Sequence, residues 1–300
     1  MKYSQPVFRP PFEADSLLLQ VTVGCSHNKC GFCTMYRQVS FHMESLEQIE
    51  KDLREAREAI PNVERIFLVN ADPFALSAPR LKTIGGKINE ILPEVKTIAM
   101  YASILNVINK TDEELRELRD LKFNDLNIGV ESGLPGMMER FNKGYDLATA
   151  KDQLARLKQA GFDFSLNFII GGAGTELHIE NGRANAALVN ETKPNLVFIA
   201  NLHVDPGSEL YEEKMRGGFI ENTIRQNLEE EIEFLEHLNI DNCTFYGLHT
   251  SNVVPVKGVL PGARQTMLTR LKKGLATIDQ QLLNSRDLEK GREGNLLLPI

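Results

Sequence analysis

The sequence contains no tryptophan, only four cysteines and no long apolar run. Four cysteines in 300 residues are too few for the disulfide-dense scaffold of a small secreted protein. The longest apolar stretches, such as residues 196–202, fall far short of the roughly 20 residues that span a bilayer. Residues 1–16 hold no apolar stretch of signal-peptide length. We therefore expect a cytoplasmic protein without membrane association, in which clustered cysteines bind metal rather than pair with one another.

Basic side chains are also in deficit. The chain has 34 Lys and Arg against 41 Asp and Glu, a formal charge of -7, so it lacks the basic surface typical of nucleic-acid binders. The composition, 42% hydrophobic and 25% charged, excludes a disordered chain, a collagen and a coiled coil. We expect a globular protein with a large core, and the charge disfavours a nucleic-acid partner.

Short apolar runs alternate with amphipathic stretches along the first two thirds of the chain. The predicted strands are residues 17–23, 65–70, 96–102, 126–130, 164–170 and 196–202. The predicted helices between them are residues 44–59, 77–92, 111–121, 149–160 and 176–190. Most strands are apolar nearly throughout, as in a covered parallel sheet. Six βα units in unbroken order predict an α/β fold, either a TIM-like barrel or an open portion of one, with a doubly wound sheet as the alternative.

The pattern changes from Gly217 onward. A long acidic helix is predicted over residues 221–238, a seventh strand over 243–248, a loop punctuated by Pro and Gly over 251–262, and a last helix over 264–283. We therefore divide the chain into a barrel core with a short N-terminal lead-in, residues 1–216, and a C-terminal helical extension packed on it, residues 217–300.

Three cysteines follow the first predicted strand directly. Cys25, Cys30 and Cys33 are spaced C-x4-C-x2-C. Three thiolates from one loop can hold three irons of a [4Fe–4S] cube, and the distant Cys243 would leave the fourth iron open to a ligand from outside the protein. The alternative is a zinc knuckle that adds His27 or His42, although zinc sites usually pair two knuckles and the sequence has no second cysteine pair.

This loop resembles the radical S-adenosylmethionine (SAM) superfamily, in which three cysteines follow the first barrel strand and an aromatic residue precedes the third. Phe32 matches that aromatic, whereas the extra residue between Cys25 and Cys30 departs from the commonest spacing, C-x3-C-x2-C. Residues 9–36 and 251–261 look like an uncharacterised branch of Fe–S oxidoreductases, loosely similar to oxygen-independent coproporphyrinogen oxidase. The resemblance implies a partial TIM-like (β/α)6 barrel of the radical SAM type with a C-terminal extension.

The resemblance also implies an activity. In this family a reduced [4Fe–4S] cluster cleaves SAM to a 5′-deoxyadenosyl radical that abstracts hydrogen from a substrate, here expected to be a small molecule. An electron donor such as flavodoxin or ferredoxin is implied as a partner. Two alternatives stay open: a non-catalytic metal-binding or interaction protein on the same barrel, and an RNA-modifying radical SAM enzyme, against which the charge of -7 argues.

In the family, the ends of successive strands bind SAM. Asn70, Ala71 and Asp72 follow the second strand, where backbone carbonyls and a carboxylate receive the methionyl ammonium. The alternative for Asp72 is a cap on the turn that follows. At the third strand Ser103 is implied as a ligand contact, with an ordinary strand terminus as the alternative.

Glu131 follows the fourth strand, and a carboxylate buried there needs a partner. The family pattern makes that partner the ribose diol, and the alternative is an ion pair with Arg140 or Lys143. Further cofactor contacts are implied at the fifth and sixth strands, with apolar backbone facing the adenine: Asn167, Ile169, Gly171, Leu202 and His203.

Four residues are candidates for handling the substrate. His203, His249 and Asp205 are placed to move protons over the barrel mouth, and Cys243 is a candidate hydrogen-atom donor. The alternative for the first three is a structural role, and a cysteine inside an apolar strand commonly serves only packing.

Overall fold

A computed structural model describes residues 1, 3, 4 and 7–288 of the chain. The strands are β1 (Leu17–Gln20), β2 (Thr22–Val23), β3 (His42–Met43), β4 (Arg65–Val69), β5 (Thr97–Ala102), β6 (Phe123–Glu131), β7 (Asp163–Ile170), β8 (Leu196–Asn201), β9 (Cys243–Gly247) and β10 (Val256–Leu260). The helices are α1 (Leu46–Ala59), α2 (Ala78–Ile91), α3 (Ile104–Ile108), α4 (Asp112–Asp120), α5 (Met137–Arg140), α6 (Leu147–Gln159), α7 (His178–Thr192), α8 (Glu209–Met215), α9 (Ile224–His237), α10 (Arg264–Thr277) and α11 (Gln280–Leu283).

The first of two compact units comprises Met1–Lys29, Met35–Gly129 and Ala148–Phe164. Its main sheet has the order β1-β4-β5-β6, and all three pairings are parallel. The strands are apolar because both faces of this sheet are covered; Ile66, Phe67 and Leu68 of β4, for example, are fully buried. Because all four strands run the same way, their carboxyl ends meet at one edge of the unit.

The second unit comprises Cys30–Thr34, Val130–Leu147 and Ser165–Ile300. Its strands have the order β7-β8-β9-β10, with β7, β8 and β9 parallel and β10 antiparallel to β9. The helices α7 and α9 pack against each other over much of their length. A capping box of Thr223 and Gln226 starts α9, since each side chain satisfies a backbone N–H of the other residue.

The α/β class and the mostly parallel strand arrangement are confirmed, and each of the seven predicted strands coincides at least in part with an observed one. The predicted boundary between residues 216 and 217 stays a prediction. The two compact units each combine several separate segments of the chain. Residues 289–300 of the predicted extension lie outside the described residues. Within the part of the chain that the structure describes, none of the helices has the length and apolar character needed to cross a bilayer.

Three sequence-based expectations about secondary structure were wrong. The predicted loop 251–262 contains β10, which forms because Val256 and Leu260 bury their side chains while the strand pairs with β9. The predicted helix 264–283 is two helices, because Asp279 caps α11 by accepting hydrogen bonds from the backbone of Gln281 and Leu282. The predicted strand 17–23 divides after Gln20, since Thr22 and Val23 pair with β3 rather than with β4.

The packing of α7 on α9 depends on Gly182, where a Cβ atom would lie 2.6 Å from the backbone oxygen of Glu230. We expect Gly182→Ala to lower the free energy of unfolding by about 1–3 kcal/mol, because the two helices must separate. Urea unfolding measures the change.

Gly86→Ala is the matched control, because Gly86 also lies within a helix but has nothing within 4 Å of the added Cβ position. It is expected to stabilise by up to about 1 kcal/mol through helix propensity. Equal effects of the two substitutions would contradict the close-packing argument.

Candidate metal and cofactor site

The cysteine loop begins at a tight turn in the first unit. Gly24 has φ +77°, and a Cβ there would lie 3.1 Å from the backbone oxygen of Val39, so the turn favours glycine. Cys25 follows it, half-buried, and its Sγ accepts a hydrogen bond from the backbone N–H of Asn28 at 3.3 Å. The side chain of Asn28 donates to the backbone oxygen of Tyr36 at 2.8 Å, which folds the loop back on itself.

Cys30 and Cys33 lie in the second unit, and both are half-buried. The backbone between them is held on two sides: Gly31 donates to the oxygen of Phe141 at 2.9 Å and accepts from Leu210 at 2.9 Å. None of the three loop cysteines forms a disulfide among the described residues. Thiols that are held by backbone bonds and are partly accessible match the ligand requirement of an iron–sulfur cluster.

Phe32, between these two cysteines, packs into an apolar cluster. Its ring meets that of Phe141 edge to face at a centroid distance of 5.0 Å, and Ile169 packs with it against the buried Leu202. The structure therefore brings together three of the residues predicted to contact SAM, from the cysteine loop and from the ends of β7 and β8. Apolar side chains of this kind suit a purine ring.

Glu131 and Lys143 form a buried ion pair in the same unit, with a Nζ to Oε1 distance of 2.9 Å. Burial opposes the charge on Lys143, but Glu131 raises the pKa of Lys143 well above its ordinary value, and Tyr145 and Cys30 act in the same direction. The Lys143 ammonium thus interacts favourably with a candidate cluster ligand. The ion-pair alternative for Glu131 is therefore observed, with Lys143 rather than Arg140, which pairs with Glu213. The ribose contact of Glu131 stays a prediction.

Asp72 is buried in the first unit, just after β4. Its Oδ2 accepts a hydrogen bond from the Ser26 hydroxyl, whereas its Oδ1 has no hydrogen-bond partner among the described residues. Burial raises the pKa of Asp72, and this rise is partly offset by the side chain and backbone of Ser26, by the Asn106 side chain and by the charge of Lys110. Asp72 occupies the N-cap position of the turn Pro73–Ala75, as the alternative expected, but its side chain makes no capping hydrogen bond there. A buried carboxylate oxygen that lacks a partner fits the expected role of receiving an ammonium group.

The residues next to Asp72 have different surroundings. Asn70 adopts φ +74°, and its side chain donates to the backbone oxygen of Thr22 at 2.9 Å and accepts from the Tyr36 hydroxyl at 3.4 Å. That side chain connects the end of β4 to Thr22 and to Tyr36 within the first unit. Ala71 is half-buried. Ser103 begins α3 and donates its backbone N–H to Asn106 at 2.7 Å.

The ends of β7 and β8 border a cavity of about 270 Å³ in the second unit. Its walls include Gly171, Leu202, His203, Asn222 and Asn227. Farther back on β7, the Oδ1 atom of Asn167 is buried and has no hydrogen-bond partner among the described residues. A second predicted cofactor residue thus keeps a hydrogen-bond acceptor that the protein itself does not satisfy.

Asn227 and Glu230, both buried on α9, were missed from the sequence. Glu230 accepts a hydrogen bond from the backbone N–H of Gly171 at 3.0 Å. The spacing carried a signal for burial, although not for the bonding partners: Asn227, Glu230 and Phe234 recur at intervals of three and four, so polar residues lie on the stripe that faces the core. The sequence analysis predicted an acidic helix over residues 221–238 but assigned no role to Asn227 or Glu230.

The four candidates for substrate chemistry do not lie together in the structure. His203 is exposed, and its Nδ1 is 2.8 Å from Oδ1 of Asp205. The other carboxylate oxygen of Asp205 accepts a hydrogen bond at 3.4 Å from the hydroxyl of Thr34, the residue after Cys33. Cys243 is fully buried at the start of β9, and its neighbour Thr244 aligns with the first residue of β8. His203 follows the opposite end of β8, so the structure does not bring Cys243 together with it. His249 bonds to the Ser251 hydroxyl at 2.7 Å.

Within residues 1, 3, 4 and 7–288 no three His, Cys, Asp or Glu side chains are placed to hold a single metal ion. A cube distributes its protein ligands over separate irons, so three cluster thiolates need not converge on one point. The thiol donor set suits iron–sulfur chemistry, and the buried, unsatisfied oxygens of Asp72 and Asn167 suit a polar organic ligand. The residues present fit both groups.

Mostly parallel α/β units with a three-cysteine loop and buried polar atoms near the strand ends define an iron–sulfur protein of the barrel type. The family model of the Radical SAM superfamily matches residues 19–181, more than half of the chain. The chain therefore belongs to the radical SAM superfamily, whose members use a [4Fe–4S] cluster and SAM.

Individual relatives agree with this assignment. The heme chaperone HemW of Bacillus subtilis (strain 168) is 25% identical over 199 residues, 64% of this chain, and the chain spans about half (52%) of that protein. Coproporphyrinogen III oxidase (HemN) from Escherichia coli has a TM-score of 0.53 at 15% identity, covering 74% of this chain and 50% of that one. Methylornithine synthase (PylB) has a TM-score of 0.52 at 14% identity, covering 91% and 76%. The two structures show the fold alone and confirm the partial-barrel class and the loose similarity to coproporphyrinogen oxidase.

Lys143→Met tests the buried ion pair. Because Glu131 is left in the interior without its counter-ion, we expect the free energy of unfolding to fall by about 3–5 kcal/mol. The change is measured by urea unfolding at neutral pH.

Arg140→Met is the control, since Arg140 and Glu213 are 32% and 35% exposed and such a pair contributes at most about 1 kcal/mol. A loss for Lys143→Met no greater than that of the control would show that Glu131 does not depend on this partner.

Proposed function

We propose that this protein is a radical SAM enzyme acting on a small-molecule substrate. The group held by Cys25, Cys30 and Cys33 would be a [4Fe–4S] cluster, which when reduced supplies the electron that cleaves SAM to methionine and a hydrogen-abstracting 5′-deoxyadenosyl radical. The observation that carries the proposal is that the family match spans both the three-cysteine loop and Asp72, whose buried Oδ1 has no partner among the described residues.

The protein's own part is to bind and orient SAM. Asp72 would accept hydrogen bonds from the methionyl ammonium, with backbone oxygens of Asn70 and Ala71 beside it. In the second unit Phe32, Ile169 and Leu202 would cover the adenine with apolar surface. Apolar cover excludes water from a reactive site and strengthens the electrostatic interactions inside it.

Other residues would bind the ribose, stabilise charge near the cluster and handle the hydrogen of the substrate. Glu131, held by Lys143, would accept from the ribose hydroxyls, and Lys143 would stabilise negative charge near Cys30. Ser103, Asn167 and Gly171 would add further contacts. His203, held by Asp205, is our candidate for moving a proton of the substrate, and Cys243 is the less favoured candidate hydrogen-atom donor because it is fully buried at the start of β9. The electron donor would be a small carrier such as flavodoxin or ferredoxin.

A second candidate is a protein that binds haem and has no radical chemistry. The observation that favours it is the 25% identity to the heme chaperone HemW over 64% of this chain. That likeness covers only half of the chaperone and carries no substrate information by itself.

The test is anaerobic reconstitution with iron and sulfide, followed by dithionite and SAM. Iron content, cluster absorption and 5′-deoxyadenosine are measured on the same sample. We expect the parent protein to hold a cluster and form 5′-deoxyadenosine, and Cys30→Ala to lose both, since one iron loses its ligand. Cys243→Ala is the matched control for cluster binding, a buried cysteine outside the loop whose removal should leave the iron content unchanged.

Three outcomes would contradict the proposal: undiminished 5′-deoxyadenosine from Cys30→Ala, zinc in place of iron, or a cluster that never cleaves SAM. Haem is added in a parallel titration without SAM. Stoichiometric haem binding together with an absence of SAM cleavage would support the second candidate.

A further inference from the structure

Glu230 is a completely buried carboxyl group on α9, in the part of the chain that follows the family match. It accepts three N–H hydrogen bonds: from Gly171 N at 3.0 Å, from Asn181 Nδ2 at 2.7 Å and from Asn222 Nδ2 at 3.1 Å. Leaving any one of these donors buried without an acceptor costs about 1–3 kcal/mol. Glu230 therefore fixes the backbone position of Gly171, at the end of β7.

The network continues to the end of β6. Asn181, on α7, accepts the hydroxyl of Ser132 on its Oδ1 at 2.5 Å, and Ser132 follows Glu131 directly. One helical turn later, Asn185 accepts the backbone N–H of Gly133 at 2.7 Å. A continuous set of buried hydrogen bonds thus joins the ends of β6 and β7 through α7 and α9, all inside the second unit.

The backbone at Gly171 is tightly constrained. Its φ is +83°, and a Cβ atom there would lie 2.8 Å from Oδ1 of Asn227. The backbone is therefore held in a left-handed conformation between α9 and the cavity that Gly171 borders. A displacement of α9 would move this backbone directly, because Asn227 and Glu230 both contact it.

We propose that Glu230 is a positioning residue for the nucleoside half of SAM. Through Gly171 on one side and Asn181 and Ser132 on the other, it sets the relative positions of the two strand ends that face adenine and ribose. The inference rests on the proposed function, since it assigns the ligand of those strand ends. It adds that residues beyond the family match complete the cofactor site.

The neighbouring Glu231 is the matched control for Glu230. If any buried acidic side chain on α9 were sufficient for SAM binding, replacing either residue would have the same effect. Glu231 is also buried, with 2% exposure, but its Oε1 has no partner among the described residues and it makes no bond to Gly171.

Burial raises the pKa of Glu230 to about 8, opposed by the hydrogen bonds of Asn181, Gly171 and Asn222. Glu230→Gln keeps one acceptor oxygen for Gly171 and Asn222, and its amide N–H can donate to Asn181 once the Asn181 amide turns over and donates to Ser132. Glu230→Gln is therefore the conservative rescue variant.

The experiment measures binding to the reconstituted holoprotein with its cluster oxidised, so that SAM is not consumed. SAM and free methionine are titrated separately by calorimetry into the parent, Glu230→Met, Glu230→Gln and Glu231→Met. We expect SAM to bind Glu230→Met about tenfold more weakly, equal to about 1.4 kcal/mol, with methionine binding and iron content unchanged. Glu230→Gln should stay within about threefold of the parent, and Glu231→Met should match it.

Equal losses for Glu231→Met, unchanged SAM affinity in Glu230→Met, or a parallel loss of methionine binding would each overturn the inference. If Glu230→Met does not yield folded holoprotein, Ser132→Ala decides, since it removes one hydroxyl from the same network. About threefold weaker SAM binding would then support the inference, and parent affinity would overturn it. A parent protein that holds no cluster or binds no SAM would instead refute the proposed function, and the inference with it.

Discussion

The parallel alignment of strands is the constraint on which the rest of this structure depends. In each unit, strands that run the same way deliver their carboxyl ends to one edge, so residues far apart in sequence become neighbours. Ile169 and Leu202 belong to β7 and to the segment after β8, yet they pack in one apolar cluster with Phe32. Backbone pairing sets the strand positions, and the side chains that follow the strands form the site.

Burial of polar groups near these ends sets the energetic conditions of the site. A charged group taken out of water without a partner costs several kcal/mol, so the chain supplies partners where it keeps charge inside. Glu131 has Lys143, and Glu230 has three N–H donors. Asp72 and Asn167 each keep a buried oxygen without a partner among the described residues, which leaves both oxygens able to accept a hydrogen bond from a ligand.

The C-terminal part of the chain is more than a cover for the sheet. Its helix α9 contributes Asn227 and Glu230, which contact the backbone of Gly171, and it packs on α7 closely enough that only glycine fits at residue 182. The matched family segment ends at residue 181, at the start of this contact. The family portion and the residues after it therefore share one packed interface within the second unit.

The sequence by itself determined the approximate positions of seven strands, the α/β class and the cysteine loop, because apolar periodicity and thiol spacing are local properties. It also indicated that Glu131 needs a partner, with Lys143 as one of two candidate ion-pair partners. The tertiary structure decided which basic residue pairs with Glu131, and it showed that the opposite ends of β8 separate Cys243 from His203. It alone revealed the role of Glu230, since the donors at residues 171, 181 and 222 meet only after three elements pack together. A hydrogen bond between residues 59 positions apart leaves no local pattern, so no reading of composition or spacing could have found it.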